Sequence, residues 1–211
     1  MAKYYSEFAG RSLERLAALS DGIFAFSMTL LLLDLHTPLK EAIHSEQDLA
    51  AGLVKLYPSV VTWLMSMMTL GIFWVGQQTQ LGHLKSSNRN YTWLSLALLA
   101  SVTAIPFTTK ILREFIDYRI ALLAYWVNIL MIGMFILICW IKACHWKLLK
   151  PEVTTEIYRA VARRVLIAQS LYAIGASLCF FHPYWSIGFI VAVQLNYVFA
   201  PRIPLLYELT A

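Results

Sequence analysis

Asp21 is the residue whose setting calls for chemistry. It stands in the step Ser20-Asp21-Gly22, just ahead of the unbroken run Ile23 to Leu33. An ionisable group at membrane depth is expensive, at least about 2.5 kcal/mol near the bilayer centre, and marks an ion path, a proton relay or a paired charge. Two readings of the step are open. Ser20 or Asp21 can cap a helix that begins at Ile23, but that helix has only about a dozen residues, too few to span. The other reading, which we prefer, is one helix running from Ser12, with Asp21 turned toward other protein.

Helical geometry separates the faces of this segment. At about 100° per residue, Gly22, Phe26, Thr29 and Leu33 fall within an arc of about 60°. Ser20, Ser27 and Asp34 form a second seam about a quarter turn away. A lipid-bathed helix has no use for such a polar seam, so the helix is expected to be surrounded by protein. Arg15 and Asp21 lie on different faces and form no intrahelical pair; each needs a partner on another helix or in interfacial water.

The other reactive side chains give weaker patterns. His36, His44, His83, His145 and His182 lie in loops or at helix ends. None belongs to an HExxH or nucleophile-elbow arrangement, so no enzyme is expected. Cys139, Cys144 and Cys179 have no CxxC spacing, which indicates neither a disulfide framework nor a zinc site. No structural metal and no cofactor are expected.

The elements that must hold Asp21 follow from composition. Of 211 residues, 59% are hydrophobic and 14% charged, against about 25% charged in ordinary soluble domains. Several runs are long and apolar enough to cross a bilayer. We expect an all-α integral membrane protein, a single domain over 1–211 with six transmembrane helices near 12–35, 52–78, 91–110, 120–141, 165–181 and 184–200. Pro38 follows the first, Pro106 lies late in the third, and Pro201 and Pro204 terminate the sixth. The N-terminus, polar and mixed in charge, shows no cleavable signal peptide, so the first span is expected to be retained.

Basic residues set the orientation. Lys3, Arg11, Arg15, Lys85, Arg89, Lys142, Lys147, Lys150, Arg159, Arg163, Arg164 and Arg202 fall on one side, and Lys40, Lys55, Lys110, Arg113 and Arg119 on the other, 12 against 5. Both termini are therefore expected to be cytoplasmic. The basic segment from Lys142 to Arg164 reads as a topology determinant touching anionic lipid, not as a nucleic-acid site. Tyr91, Trp93, Tyr184 and Trp185 read as interfacial anchors.

With these elements in place, a resemblance becomes visible. Arg15, followed by Leu19-Ser20-Asp21-Gly22-Ile23-Phe24-Ala25 and then Met28-Thr29-Leu30-Leu31, resembles the signature of the transmembrane-protein-175 family of potassium channels. Pro106-Phe107-Thr108 is a second similarity, and a six-helix unit of this length is similar to the family's prokaryotic members. The resemblance implies a homotetramer in a lipid bilayer, with the first helix of each subunit lining a central pore. It also implies no glycine-rich carbonyl filter, and no TVGYG stands in this sequence. In the family an isoleucine or leucine ring narrows the pore, with a threonine layer one turn on. Matched from Arg15, those layers fall on Phe26 and Thr29, and the next turn on Leu33. Gly22 shares their arc, and Leu30 or Leu33 is the alternative constriction.

Three departures qualify the match. Leu19 replaces the usual phenylalanine of the motif. Phe26 puts an aromatic ring where an aliphatic one is usual. Trp74 is followed at Gln77 by an amide where the family often has histidine, so a network of Arg15, Ser20, Asp21, Trp74 and Gln77 lacks a proton-carrying member there.

The expected function is passive conduction of potassium, or of cations with weak selectivity. Apolar rings would gate by dewetting, and Thr29 hydroxyls would assist a partly dehydrated ion. Asp34 would attract cations at the pore mouth or serve only as an interfacial residue, and the permeant potassium is the only ion called for. The expected location is the cell membrane, a prokaryotic plasma membrane. The alternatives are a secondary transporter, for which no second broken helix is found in spans four to six, and a structural membrane protein without transport activity.

Overall fold

The structure is a computed structural model that describes residues 12–199. Lys3, Arg11, Ala200, Pro201, Arg202 and Pro204, used above for topology and helix ends, lie outside the described residues.

Helix α1 (Leu13–Leu33) is continuous through Ser20-Asp21-Gly22. Its cap is Ser12, whose hydroxyl accepts the Arg15 N–H at 3.2 Å. Neither Ser20 nor Asp21 is a cap. A 3-10 turn (Lys40–Ala42) and a short helix α2 (Glu46–Lys55) follow. Ser45 caps α2, with Glu46 and Asp48 in its first turn and Lys55 in its last, the charge order that a helix dipole favours.

Helix α3 (Tyr57–Gly82) starts afresh after Leu56. Pro58 sits in its first turn, where a missing N–H loses no partner. The apolar stretch expected as one helix from 52 is thus divided. Helix α4 (Arg89–Thr103) is capped by the Asn88 side chain, which accepts the Tyr91 N–H at 2.8 Å. It gives way at Ala104 to α5 (Ile105–Glu114), with Pro106 in the first turn. Helix α6 (Arg119–His145) is the longest. Helix α7 (Thr155–Ser177) begins well before 165, so the basic linker is largely helical. A 3-10 turn (Leu178–Phe180) leads into α8 (Pro183–Phe199).

Among the described residues, four helical segments are long and apolar enough to cross a membrane: α1, α3, α4 with α5, and α6, at 21, 26, 26 and 27 residues. At about 1.5 Å per residue each covers roughly the 30 Å hydrocarbon core. The chain is a multi-pass membrane protein. Helix α7 carries Glu156, Arg159, Arg163 and Arg164 in its first half, and α8 has 17 residues.

One end of the bundle is basic and tied together. Leu84 bridges Leu149, the Lys85 N–H donates to the Leu148 carbonyl at 2.9 Å, and Lys150 Nζ reaches the Gly82 carbonyl at 2.7 Å. Leu16 at the start of α1 packs there with Leu81, Tyr91 and Ala143. The starts of α1 and α4 therefore lie beside the ends of α3 and α6. At the opposite end the Arg113 guanidinium donates to the Asp34 carbonyl.

The core between these ends is apolar around Met65, Leu70, Leu98, Leu122 and Ile129, but a polar seam crosses it. The Tyr125 hydroxyl bonds Thr69 at 2.9 Å and Ser66 at 3.2 Å, and Ser66 bonds Thr109 at 2.7 Å. Gln194 donates to Thr69 at 2.6 Å, and Asn128 to the Ser101 carbonyl at 2.8 Å. Lipid tails are as apolar as leucine, so helices in a bilayer gain specificity from such contacts, about 0.6 kcal/mol each on average.

Candidate functional site

Helix α1 has two contrasting sides. Leu16, Ser20, Phe24, Ser27 and Leu31 are buried against the rest of the subunit, the two serines at 0% and 1% exposure. The polar seam read from the sequence therefore faces protein at Ser20 and Ser27. Leu19, Gly22, Phe26, Thr29 and Leu33 lie on the other side, with Phe26 63% and Leu33 77% exposed. A methyl group added at Gly22 would meet nothing within 4 Å. Leu30 is half-buried at the margin of this stripe.

Thr29 donates its hydroxyl hydrogen to the Phe26 carbonyl at 2.8 Å. A hydroxyl has one donor and two acceptor lone pairs. With the donor spent inside the helix, the oxygen is left as an acceptor, which is what a cation requires.

Hydrogen bonds to α3 fix the rotation of α1. Ser20 Oγ donates to Gln77 Oε1 at 2.6 Å in the buried interface. One residue on, the Asp21 carboxylate accepts from Trp74 Nε1 at 2.8 Å and also from Gln78 Nε2. Two of the expected network members, Trp74 and Gln77, thus meet α1, but at different partners. Gln78 was missed. Its signal was present, because residues four apart share a helix face and Trp74 already pointed to that face.

Arg15 stands apart from this network. Its backbone N–H is used by Ser12, and among the described residues no partner meets its exposed guanidinium. At the other end of α1, Asp34 is half-buried and is engaged through its backbone: its carbonyl accepts from Arg113 and from His36 Nδ1, the latter at 2.7 Å.

Two cavities lie along α3. One of about 720 Å³ has Asp21, Phe24, Met28 and Trp74 on its wall, and one of about 190 Å³ opens between α3, α6, α7 and α8. Arg164 and Tyr197 border both. Among the described residues no group of three or more His, Cys, Asp or Glu comes together to hold a metal. The stripe offers hydroxyl acceptors, bare helix backbone at Gly22 and large apolar side chains.

The known proteins that this chain resembles are channels. A family model described as the endosomal/lysosomal potassium channel TMEM175 matches residues 15–106. A potassium channel of Chamaesiphon minutus is 26% identical over 188 residues, covering 85% of this chain and 91% of that one. A potassium channel of Streptomyces collinus is 28% identical over 171 residues, covering 79% and 82%. The human endosomal/lysosomal proton channel TMEM175 is 23% identical over 200 residues, which is 93% of this chain and 38% of that protein. The fold matches the crystal structure of a lysosomal potassium-selective channel TMEM175 homolog from Chamaesiphon minutus with a TM-score of 0.77 and 23% identity, covering 89% of this chain and 97% of that one. The resemblance read from Arg15 onward is borne out, and the relatives are ion channels, not enzymes.

Proposed function

We propose that this chain is a potassium channel subunit, four copies of which enclose a pore lined by the exposed stripe of α1. One observation carries the reading: a helix fixed in rotation by buried contacts on one side presents Gly22, Phe26, Thr29 and Leu33 together on the other. One such helix cannot enclose a pore, so copies are required, and the resemblance supplies four. Helices α7 and α8 act as fifth and sixth spans, and the tied basic end faces the cytoplasm of a prokaryotic cell, as the lysine and arginine bias directs.

In this arrangement Phe26 and Leu33 form apolar rings that close by dewetting, with Leu30 at their margin. Thr29 between them offers four acceptor oxygens to a partly dehydrated potassium ion. Asp34 adds negative charge at the outer mouth. Ser20, Asp21, Trp74, Gln77 and Gln78 hold α1 in register at the inner end. No cofactor takes part beyond the permeant ion.

The test is potassium flux from liposomes holding the purified protein. Phe26→Ala and Leu33→Ala widen the rings and should raise the flux. Flux that no substitution on the exposed stripe alters would sink the assignment, and saturable uptake driven by a proton gradient would indicate a transporter instead.

A further inference from the structure

The smaller cavity has walls unlike those of an ordinary packing void. Gln80 is 2% exposed, and its Nε2 has no hydrogen-bond partner. Gln169 on α7 likewise has neither amide atom paired, and the Tyr197 hydroxyl on α8 is buried without a partner. All three border the cavity of about 190 Å³, together with Arg164. Buried polar groups are nearly always satisfied, and an orphaned one is costly. Three around one space indicate that something polar belongs in it.

The donors outnumber the acceptors. Two amide NH₂ groups, a phenol and a guanidinium can all donate, while no carboxylate borders this cavity. Asp21 lies on the wall of the larger cavity, where Trp74 and Gln78 already engage it. Gln169 is also held in place: its amide fills the notch above Gly133, where a Cβ would collide with Nε2. Ile72 and Val75 form an apolar wall common to both cavities. Gln80 lies two residues before the end of α3, at the tied basic end.

We propose that this cavity binds the phosphate of an anionic phospholipid from the adjoining leaflet, with Arg164 and the Gln80, Gln169 and Tyr197 donors around the phosphate and an acyl chain along Ile72 and Val75. A basic pocket between helices at the cytoplasmic end is where anionic head groups are recognised. The site rests on the membrane reading above but not on conduction. The lipid would brace α3, which holds α1, against α7.

The test uses the full-length protein in a neutral detergent, titrated with short-chain phosphatidylglycerol and read by native mass spectrometry, so no ion flux enters. Phosphatidylcholine of the same chain length and inorganic phosphate are titrated in parallel. Phosphatidylglycerol should bind in preference to both. Arg164→Gln and, separately, Gln80→Leu should each weaken it about tenfold, the scale of one charge-assisted hydrogen bond. Arg159→Gln, an exposed charge outside the cavity, should leave it unchanged. Equal loss on Arg159→Gln would reduce the effect to diffuse surface charge and overturn the site. Unchanged binding on both cavity substitutions would overturn it, and so would inorganic phosphate binding as tightly as the lipid.

Discussion

Ser20→Ala should destabilise the subunit more than Gln77→Leu, although both remove the same hydrogen bond. Ser20 Oγ and Gln77 Oε1 are 2.6 Å apart in residues exposed by only 0% and 3%. Deleting the serine hydroxyl strands the buried glutamine oxygen, at about 1–3 kcal/mol for a buried unsatisfied acceptor. Deleting the glutamine amide strands nothing. The serine hydroxyl can turn back to the Leu16 carbonyl, four residues earlier in the same helix, and leucine keeps most of the side-chain volume. The expected cost is then about 0.6 kcal/mol, the average for an interhelical hydrogen bond in a membrane protein.

The double variant should lie close to Gln77→Leu, because the stranded oxygen has gone. Sodium dodecyl sulfate titration in mixed micelles, followed by tryptophan fluorescence, gives the three free energies. The pair also fixes the rotation of α1, so potassium flux should fall in both single variants and stay low in the double variant. Gln77→Leu costing as much as Ser20→Ala, or strictly additive effects, would refute the reasoning.

Other expectations follow from single contacts. Gly133→Ala drives a methyl group into the Gln169 amide and should cost about 1–3 kcal/mol in the same titration; Gln169→Ala beside it should restore most of the loss. Tyr125→Phe should cost no more than about 1.5 kcal/mol, since Thr69 keeps the Met65 carbonyl and Ser66 keeps Thr109; a larger loss would mean that the hydroxyl holds more than these two. The Ser45 hydroxyl, donating at 2.8 Å, and the His44 N–H hold the Asp48 carboxyl below the usual carboxylate range. A depressed value contributes stability above about pH 4 that is lost as the pH falls through the folded value. Carboxyl NMR shifts should therefore titrate at a lower pH for Asp48 than for the same residue in a Ser45→Ala chain, and coincident curves would contradict this.

The faces of α1 were legible because they depend only on local periodicity. Spacing alone put Gly22, Phe26, Thr29 and Leu33 together and set Ser20 and Ser27 apart, and the structure leaves the first four exposed while burying the serines. The start of α7 was hidden by its charge. Arg159, Arg163 and Arg164 dilute the apolar signal, although Ile157, Val161, Val165 and Ala168 keep a helical spacing behind them. The division at Leu56 had one available sign, Pro58 two residues later, a residue at home in the first turn of a helix. Contacts such as Gln194 with Thr69, 125 residues apart, had no local sign at all. Gln78 lies between these cases, legible once Trp74 had been assigned to face Asp21.

Thiol accessibility along α1 separates the pore face from the packed face. Cys139, Cys144 and Cys179 are first replaced, Cys144 being the exposed one. A single cysteine is then placed in turn at Ser20, Gly22, Phe24, Phe26, Ser27, Thr29, Leu31 and Leu33, and a charged thiol reagent is applied while potassium flux is followed. Block should occur at Gly22, Phe26, Thr29 and Leu33 and be absent at Ser20, Phe24, Ser27 and Leu31. Block confined to the second set, or at neither, would contradict a pore lined by the exposed stripe.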